Sequence, residues 1–277
     1  MIATGEHRLV ETPLKGKRIV VTRPSSQANV FIDRLHHAGA EVIVFPTIQI
    51  HEPDSWDSAD EAIQNVNEYD GCFFTSSNAV DAFYNRLNKI KPFLIPFYLH
   101  KMNYAVGSRT ETALRKRGCD SISVPQDYRS QEVLSLLKEK ELIGKRFLHP
   151  RGNLGNGMIK SNLETRGARV DEIVVYRTEE ATPDNVGEIV NMLTEKKIDI
   201  VTFFSPSSVH GFCDILLKNM RGETEIEEAM KSVTIAVIGH VTEASVQAAG
   251  YTAAIVAETS TNESLVECMN NFYLTHR

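Results

Sequence analysis

Gly16-Lys17-Arg18-Ile19 and Gly144-Lys145-Arg146-Phe147 are two versions of one short stretch, and this recurrence decides the fold. Gly39-Ala40 and Gly167-Ala168 repeat at the same spacing. Three more matches follow in the same order at only slightly larger spacings: Asp70 and Asp199, Gly107-Ser108-Arg109-Thr110 and Gly239-His240-Val241-Thr242, and Gly118 and Gly250. Ordered matches of this kind indicate an internal duplication, with a first copy before Gly144 and a second copy from Gly144 onward.

Each copy contains five short apolar runs that are rich in Val, Ile and Phe. This composition is typical of strands buried on both faces of a parallel sheet. The predicted strands, four or five residues long, are Arg18–Thr22, Glu41–Phe45, Gly71–Thr75, Asn103–Val106, Ser121–Val124, Arg146–His149, Asp171–Val175, Ile200–Phe204, Thr234–Ile238 and Ala253–Val256.

Amphipathic stretches separate these runs and predict helices. In Ala28–Ala38 the apolar side chains fall on one helical face. Thr110–Arg117 and Thr242–Ala249 follow the same pattern, and each ends at a glycine, Gly118 or Gly250, as helices often do. Alternating strands and helices predict an α/β protein with two doubly wound parallel-sheet domains of the flavodoxin-like type.

The composition favours a soluble globular protein, since 42% of its 277 residues are hydrophobic and 24% are charged. The net charge of −6 argues against a general nucleic-acid binder but leaves a small anionic ligand open. The first residues lack the apolar stretch of a signal peptide, and no apolar run is long enough for a membrane helix. We therefore expect a cytoplasmic protein without a membrane segment. The four widely spaced cysteines, without a CxxC pair, are expected to be buried thiols: Cys72, Cys119, Cys213 and Cys268.

Small polar residues follow the third and fourth predicted strands of each copy. In open α/β sheets, ligands bind at the carboxyl ends of the strands, where helix N-termini offer free N–H groups. The candidate binding residues are Ser76, Ser77, Asn78, Gly107, Ser108, Thr110, Ser205, Ser207, Ser208, Gly239, His240 and Thr242. Ordinary helix N-caps are the alternative interpretation of any single turn, whereas four matched turns favour a shared ligand site.

Motifs for nucleotides, metals and hydrolytic nucleophiles are absent from the sequence. No G-x-G-x-x-G follows a strand, and there is no G-x-x-x-x-G-K-[ST], H-E-x-x-H or G-x-S-x-G. The nine histidines lack metal-ligand spacing, and His36-His37 on a predicted helix is expected to be a solvated pair. The residues alone leave the chemistry open.

Taken together, these stretches resemble the uroporphyrinogen-III synthase family from Lys15 to about Asn271. The similarity rests on order and spacing, because each piece is short. The similar stretches are Ile19-Val20-Val21-Thr22-Arg23-Pro24, Phe74-Thr75-Ser76 with Asn78-Ala79-Val80, Ala105-Val106-Gly107 with Thr110, Val175-Tyr176-Arg177-Thr178, Thr202-Phe203-Phe204-Ser205-Pro206-Ser207, and Ile238-Gly239 with Thr242.

The resemblance implies two α/β domains joined by a two-strand linker, with the active site in the cleft. The first domain would combine residues 1–47 and 178–277, and the second would comprise residues 48–177. The extended runs Val42–Ile50 and Ile173–Thr178, which lack tight-turn signals, agree with such crossings. The pattern alone equally allows two tandem domains divided near Gly144.

The family cyclises hydroxymethylbilane to uroporphyrinogen III, with inversion of ring D through a spiro intermediate and loss of water. The resemblance implies that no cofactor or metal takes part. Tyr176 matches the family's tyrosine near the crossing strand, and a phenol that stays protonated at neutral pH can act as an acid. The alternative is an amphipathic tyrosine that packs at the domain junction with its hydroxyl in water. Arg23, Arg109 and Arg151 are expected in turns where they could add positive charge for the substrate carboxylates, and a surface salt bridge is the alternative role of any one of them.

Two other classes of function remain open at this point. The chain could be a catalytically inactive tetrapyrrole- or anion-binding regulatory protein of the same fold, or a two-domain receptor for an unrelated anionic small molecule. For the synthase we expect a monomer, and a transient contact with the enzyme that makes hydroxymethylbilane is left open. The stretch Lys89–Lys101 has no counterpart in the second copy and receives no function.

Overall fold

The computed structural model describes residues 12–124, 142–155 and 157–276. The chain forms two compact units. Unit 1 combines residues 1–48 and 180–277, and unit 2 comprises residues 49–179.

Ten of the described strands lie at the predicted apolar runs, and β3, Ile48–His51, is an additional strand that was not predicted. In chain order they are β1 Arg18–Val21, β2 Glu41–Val44, β3 Ile48–His51, β4 Gly71–Phe74, β5 Met102–Ala105, β6 Ile122–Ser123, β7 Arg146–Gly152, β8 Arg169–Glu180, β9 Ile200–Phe203, β10 Thr234–Val237 and β11 Ile255–Val256.

The helices occupy the amphipathic stretches between the strands. Those of the described residues are α1 Ser25–His37, α2 Asp57–Gln64, α3 Ser77–Ile90, α4 Ile95–Leu99, α5 Ser108–Arg117, α6 Met158–Thr165, α7 Val186–Thr194, α8 Pro206–Asn219, α9 Glu223–Met230, α10 His240–Ala248 and α11 Asn262–Thr275. As expected, Gly118 and Gly250 adopt left-handed conformations after α5 and α10, with φ of 93° and 84°.

Both sheets have the flavodoxin-like strand order. Unit 1 has the order β2-β1-β9-β10-β11, with every pair parallel. Unit 2 has the parallel order β8-β7-β4-β5-β6, and β3 is added beside β8. Each sheet thus joins the first two strands of one copy to the last three of the other. The predicted α/β class with parallel sheets is confirmed, and the flavodoxin order 2-1-3-4-5 occurs twice.

Helices cover both faces of the sheet in unit 1. One face packs Phe31 and Leu35 of α1 and Leu265 and Met269 of α11 against β1 and β10. The other face carries α7, α8, α9 and α10. In unit 2, α2, α3, α4 and α5 cover one face, while Ile159 of α6 packs on the other. Burial on both faces explains why the strands consist of continuous apolar runs.

An aspartate clamps the amino ends of the central strands in each unit. In unit 1, Asp199 accepts hydrogen bonds from Lys17 Nζ and from the Arg18 amide, both at 2.8 Å. In unit 2, Asp70 accepts them from Lys145 Nζ at 2.7 Å and from the Arg146 amide at 2.9 Å. Each clamp joins residues from different copies.

The chain leaves unit 1 after a short irregular segment, residues 45–47, which separates β2 from β3. Thr47 O accepts a hydrogen bond of 3.1 Å from the Ala181 amide, so the outgoing and returning chains are tied together. Gly211 of α8 packs so tightly here that an added Cβ would lie 2.4 Å from Thr47 O. The expected extended run Val42–Ile50 is therefore interrupted by a packed segment.

Strand length is where the expectations were wrong. β7 has seven residues and β8 twelve, because β8 continues beside β3, whereas β6 and β11 at the sheet edges have only two. The unassigned stretch Lys89–Lys101 contains the 3₁₀ turn Pro92–Leu94 and α4. Within it, Tyr98 is fully buried and donates a hydrogen bond of 2.9 Å to Ala62 O, which gives the stretch a packing role.

The cysteine expectation holds for two residues only. Cys72 and Cys119 are buried, whereas Cys213 and Cys268, on helices α8 and α11, are partly exposed, so the prediction of four buried thiols is wrong for that pair. Both helices face solvent on one side, which a sequence neighbourhood of apolar residues does not reveal. As expected, His36-His37 is exposed. None of the described helices is both long and apolar enough to span a membrane.

Candidate functional site

Ser76 and Tyr176 form a hydrogen-bonded pair at the carboxyl ends of the strands in unit 2. Ser76 is the N-cap of α3, and its Oγ accepts a hydrogen bond of 3.1 Å from the Ala79 amide. The same Oγ lies 3.1 Å from the Tyr176 hydroxyl. A serine and a tyrosine selected separately from the sequence thus share one site, next to Ser77 and Asn78 at the beginning of α3.

The reach of Tyr176 depends on Gly152. Tyr176 lies on β8 and Ser76 follows β4, and these strands are separated by β7, which ends at Gly152. A Cβ on Gly152 would lie 2.5 Å from Tyr176 Cζ and 2.8 Å from its hydroxyl oxygen. Only glycine therefore lets the ring pass over the end of β7.

Burial is the main influence on the Tyr176 phenol. Burial raises the pKa of Tyr176 above its ordinary value, while the hydrogen bond with Ser76 and the positive charge of Arg151 act in the opposite direction. The phenol therefore stays protonated at neutral pH, as a proton donor must. Its proton can pass to a group bound at this edge of the sheet.

Arg151, on the strand beside that of Tyr176, forms a hydrogen-bonded network with Glu172 and His149. Arg151 Nη1 lies 2.9 Å from Glu172 Oε2, and His149 Nδ1 lies 3.2 Å from Glu172 Oε1. The hydrogen bond with His149 and the charge of Arg151 lower the pKa of Glu172 to about 2. The sequence had suggested Arg151 as a cation but not Glu172 or His149, which lie on different strands.

The second polar turn of unit 2 leads into α5. Gly107 is its N-cap with φ of 92°, followed by the partly buried Ser108. Thr110 is buried. Burial lowers the pKa of the Arg109 guanidinium, which forms no ion pair with any residue of the described ranges. A cation in this position at a helix N-terminus is suited to an anionic ligand.

In unit 1, the side chains of the first polar turn form hydrogen bonds mainly within the turn. Ser205 caps α8 by accepting from the Ser208 amide at 3.2 Å, and its Oγ lies 3.0 Å from Ser207 Oγ. Ser208 is buried, and its hydroxyl donates to Ser205 O at 2.7 Å. The alternative interpretation as an ordinary N-cap thus describes Ser205 well, and Ser208 completes a capping box with it.

The second polar turn of unit 1 begins α10. Gly239 is the N-cap, and His240 is exposed with its Nδ1 2.8 Å from Glu243 Oε2. Thr242 is buried. Since β9 and β10 are neighbours, this turn and Ser205 lie at the same edge of one sheet, as the two turns of unit 2 do after β4 and β5. No cluster of three metal-ligating side chains occurs in the part of the chain described.

Fold and site together define an α/β protein with two flavodoxin-like sheets, polar helix N-termini at the strand ends and a partly buried tyrosine that is hydrogen-bonded to one of these N-termini. The chain belongs to the uroporphyrinogen-III synthase family, since the family model Uroporphyrinogen-III synthase HemD matches residues 29–267. The resemblance inferred from the sequence is thereby confirmed.

Individual relatives agree with this family. The uroporphyrinogen-III synthase of Chlorobaculum parvum is 29% identical over 242 residues, which cover 87% of this chain and 93% of the relative. The uroporphyrinogen-III synthase of Synechococcus elongatus is 29% identical over 236 residues, which cover 83% of this chain and 86% of the relative.

Solved structures share the fold. A mutant uroporphyrinogen III synthase from Thermus thermophilus superimposes with a TM-score of 0.68 at 17% identity, covering 95% of this chain and all of that one. A uroporphyrinogen-III synthetase from Helicobacter pylori gives a TM-score of 0.56 at 17% identity, covering 94% of this chain and all of that one.

Proposed function

We propose that this chain is a uroporphyrinogen-III synthase that cyclises hydroxymethylbilane to uroporphyrinogen III, inverting ring D through a spiro intermediate with loss of water. Membership of the family supports this function. The observation that carries it for this chain is the Ser76–Tyr176 pair, because it provides a protonated donor at the edge of the sheet where ligands bind.

Tyr176 is proposed as the general acid for departure of the terminal hydroxyl. The adjacent pyrrole nitrogen pushes the hydroxyl out, and the phenol supplies the proton that makes water the leaving group. The resulting cation is attacked by ring D at its substituted carbon, and the spiro intermediate fragments and recloses inverted. The enzyme's main contribution is to hold the chain in the geometry for that attack.

The substrate's eight carboxylates need local donors, since the protein is net negative. We assign them to the amides and hydroxyls of the four polar turns. Arg109 supports this assignment because its guanidinium lies partly buried without a carboxylate partner among the described residues, and a substrate carboxylate would relieve that cost. The binding set is Ser76, Ser77, Asn78, Gly107, Ser108, Thr110, Ser205, Ser207, Ser208, Gly239, His240 and Thr242.

The two units are proposed to be domains that arose by duplication with exchange of strands. The matched clamps of Asp199 and Asp70 support it, since each unites a Gly-Lys-Arg stretch from one copy with the aspartate of the other. We further propose that the chain works as a monomer in the cytoplasm, where its substrate reaches it from the preceding enzyme, with or without a transient contact.

Incubation with freshly prepared hydroxymethylbilane tests the function. The substrate closes spontaneously without inversion, so the protein is expected to shift the product to the inverted isomer, measured by chromatography of the oxidised porphyrins. A folded protein that binds the substrate yet leaves the spontaneous isomer ratio unchanged would instead be the regulatory protein of the same fold.

A further inference from the structure

Equivalent positions in the two sheets hold chemically different pairs. In unit 1, Val21 of β1 is the register partner of Val44 of β2. In unit 2, the positions that the internal repeat aligns with these valines are occupied by His149 of β7 and Glu172 of β8, which are register partners in the same way. The fold therefore accepts two valines at this point, and the histidine and glutamate are not needed to form the sheet.

The polar pair comes at an energetic cost. His149 is only 5% exposed, and its Nε2 is buried without a hydrogen-bond partner in the structure as described. A buried polar atom without a partner destabilises a fold, because it has lost its hydrogen bonds to water. Because Glu172 is ionised at neutral pH and can only accept, the proton between them belongs to His149 Nδ1. The histidine therefore donates to the glutamate and holds it in place.

Glu172 in turn fixes the guanidinium of Arg151. Besides the 2.9 Å contact with Glu172, Arg151 Nε donates to Gly152 O at 3.1 Å, and Nη2 donates to Gly155 O. An added Cβ on Gly155 would lie 2.7 Å from Arg151 Nε, so the turn fits closely around the side chain. Unlike Arg109, Arg151 is already occupied by protein groups and is poorly suited to bind a substrate carboxylate.

We propose that Arg151, held by Glu172 and His149, is a positioning residue that stabilises the Tyr176 phenolate formed when the phenol gives its proton to the departing hydroxyl. The inference rests on the proposed function. The proton balance closes within the reaction: the phenol proton leaves in the water, and the proton released when ring closure restores aromaticity returns to the phenolate oxygen.

Electrostatics agrees with this placement. Burial makes the phenolate unfavourable and raises the pKa of Tyr176, while the Arg151 charge opposes that rise. Tyr176 is register-matched to Gly152, the residue after Arg151, which brings the phenol and the guanidinium to the same end of β7. A fixed cation beside a buried acid lowers the cost of its deprotonation without taking the proton itself.

A double-mutant cycle tests the proposal. Arg151→Gln is expected to lower kcat about tenfold with little change in KM, equivalent to one pKa unit in the phenol. Arg151→Lys, which keeps the charge, should restore part of this loss. In a Tyr176→Phe background, where no phenolate forms, Arg151→Gln should change kcat by less than about twofold. Glu172→Gln should lower kcat by less than Arg151→Gln does, and this loss too should largely disappear in the Tyr176→Phe background. If Arg151→Gln does not fold, Glu172→Gln takes its place in the cycle.

Arg146→Gln is the matched control. Arg146 lies on the same strand and forms comparable ion pairs with Asp171 and Glu68, but at the amino end. It should lower thermal stability and leave kcat unchanged.

Two results would overturn the proposal: an equal kcat loss from Arg151→Gln with and without Tyr176, or a loss confined to KM. Failure of the proposed function looks different, since the wild-type protein would then leave the isomer ratio at its spontaneous value.

Discussion

The amino ends of the central strands are built alike in the two units, and their carboxyl ends are not. Asp199 in unit 1 and Asp70 in unit 2 make the same two hydrogen bonds at 2.7–2.9 Å to a Lys-Arg pair. At the other end, Val21 and Val44 of unit 1 are replaced in unit 2 by a buried histidine and a glutamate.

The same contrast extends to the helix N-caps. Ser205 of unit 1 and Ser76 of unit 2 occupy matching turns and both cap a helix. Ser205 bonds to Ser207 and Ser208 of its own turn, whereas Ser76 also contacts a tyrosine from a strand two places away. The clamps common to both units therefore serve the fold and the shared polar turns are proposed to bind the substrate, whereas the acid chemistry is expected where the two units differ.

The largest effect is expected from Gly152→Ala. The new Cβ would lie 2.5 Å from Tyr176 Cζ, so the ring must leave its place beside Ser76. A displacement of this size can cost about 100-fold in kcat, measured with hydroxymethylbilane. Gly187→Ala on α7 is the control, because its Cβ meets no atom within 4 Å and kcat should not change. Full activity of Gly152→Ala would refute the assigned position of the ring.

Removing the clamps should affect both units similarly. Asp70→Ala and Asp199→Ala each remove two hydrogen bonds at the amino end of a sheet. We expect each to lower the free energy of unfolding by about 1–2 kcal/mol, discounted because the ion pairs are partly exposed. Chemical denaturation measures both. A large loss in one variant and none in the other would contradict the structural equivalence of the clamps.

Lowering the pH should reduce the free energy of unfolding, because Glu172 becomes protonated. Its pKa is lowered from 4.5 to about 2, so its stabilising contribution is complete above about pH 4.5 and disappears as pH falls toward 2. At pH 6 the free energy of unfolding of Glu172→Gln should therefore lie about 1–2 kcal/mol below that of the wild-type protein, after allowance for screening by solvent. Near pH 2–3 the two free energies of unfolding should become nearly equal. A difference independent of pH would show that the carboxylate charge contributes nothing.

The smallest effect is expected for Ser205→Ala. Its hydroxyl would supply one of many neutral donors to the substrate, so its loss should cost roughly 0.5–1.5 kcal/mol of transition-state binding. The kcat/KM of the variant measures this. Complete loss of activity in a folded Ser205→Ala protein would make the serine a nucleophile and would invalidate the acid mechanism.

The repeat was sufficient to predict the polar turns and every described strand except β3, because parallel strands buried on both faces have a continuous apolar signature. It identified Ser76, and the resemblance to the family identified Tyr176. Their contact was not predictable, since it depends on strand order and on the space left by Gly152. The lengths of β8 and of the two-residue edge strands β6 and β11 were not predicted, because the length of a strand depends on the neighbour with which it pairs.

The His149–Glu172 pair was missed for a different reason. An isolated histidine and a glutamate in apolar runs carry no motif, and their pairing appears only when β7 and β8 are aligned. A signal was nevertheless present: superposing the two copies at the spacing of their Gly-Lys-Arg stretches sets His149 against Val21 and Glu172 against Val44. Departures of one copy from the other are thus more informative about chemistry than the positions they share.

The rate and product of Tyr176→Phe test most directly whether unit 2 carries the chemistry. Removing one hydroxyl leaves the ring packing intact, and we expect kcat to fall roughly 10–100-fold, at or below the usual range for a general acid. The enzymatic product should remain the inverted isomer, since geometry selects the carbon attacked. An unchanged kcat with hydroxymethylbilane would reduce Tyr176 to a packing residue and contradict the proposed division of roles between the two units.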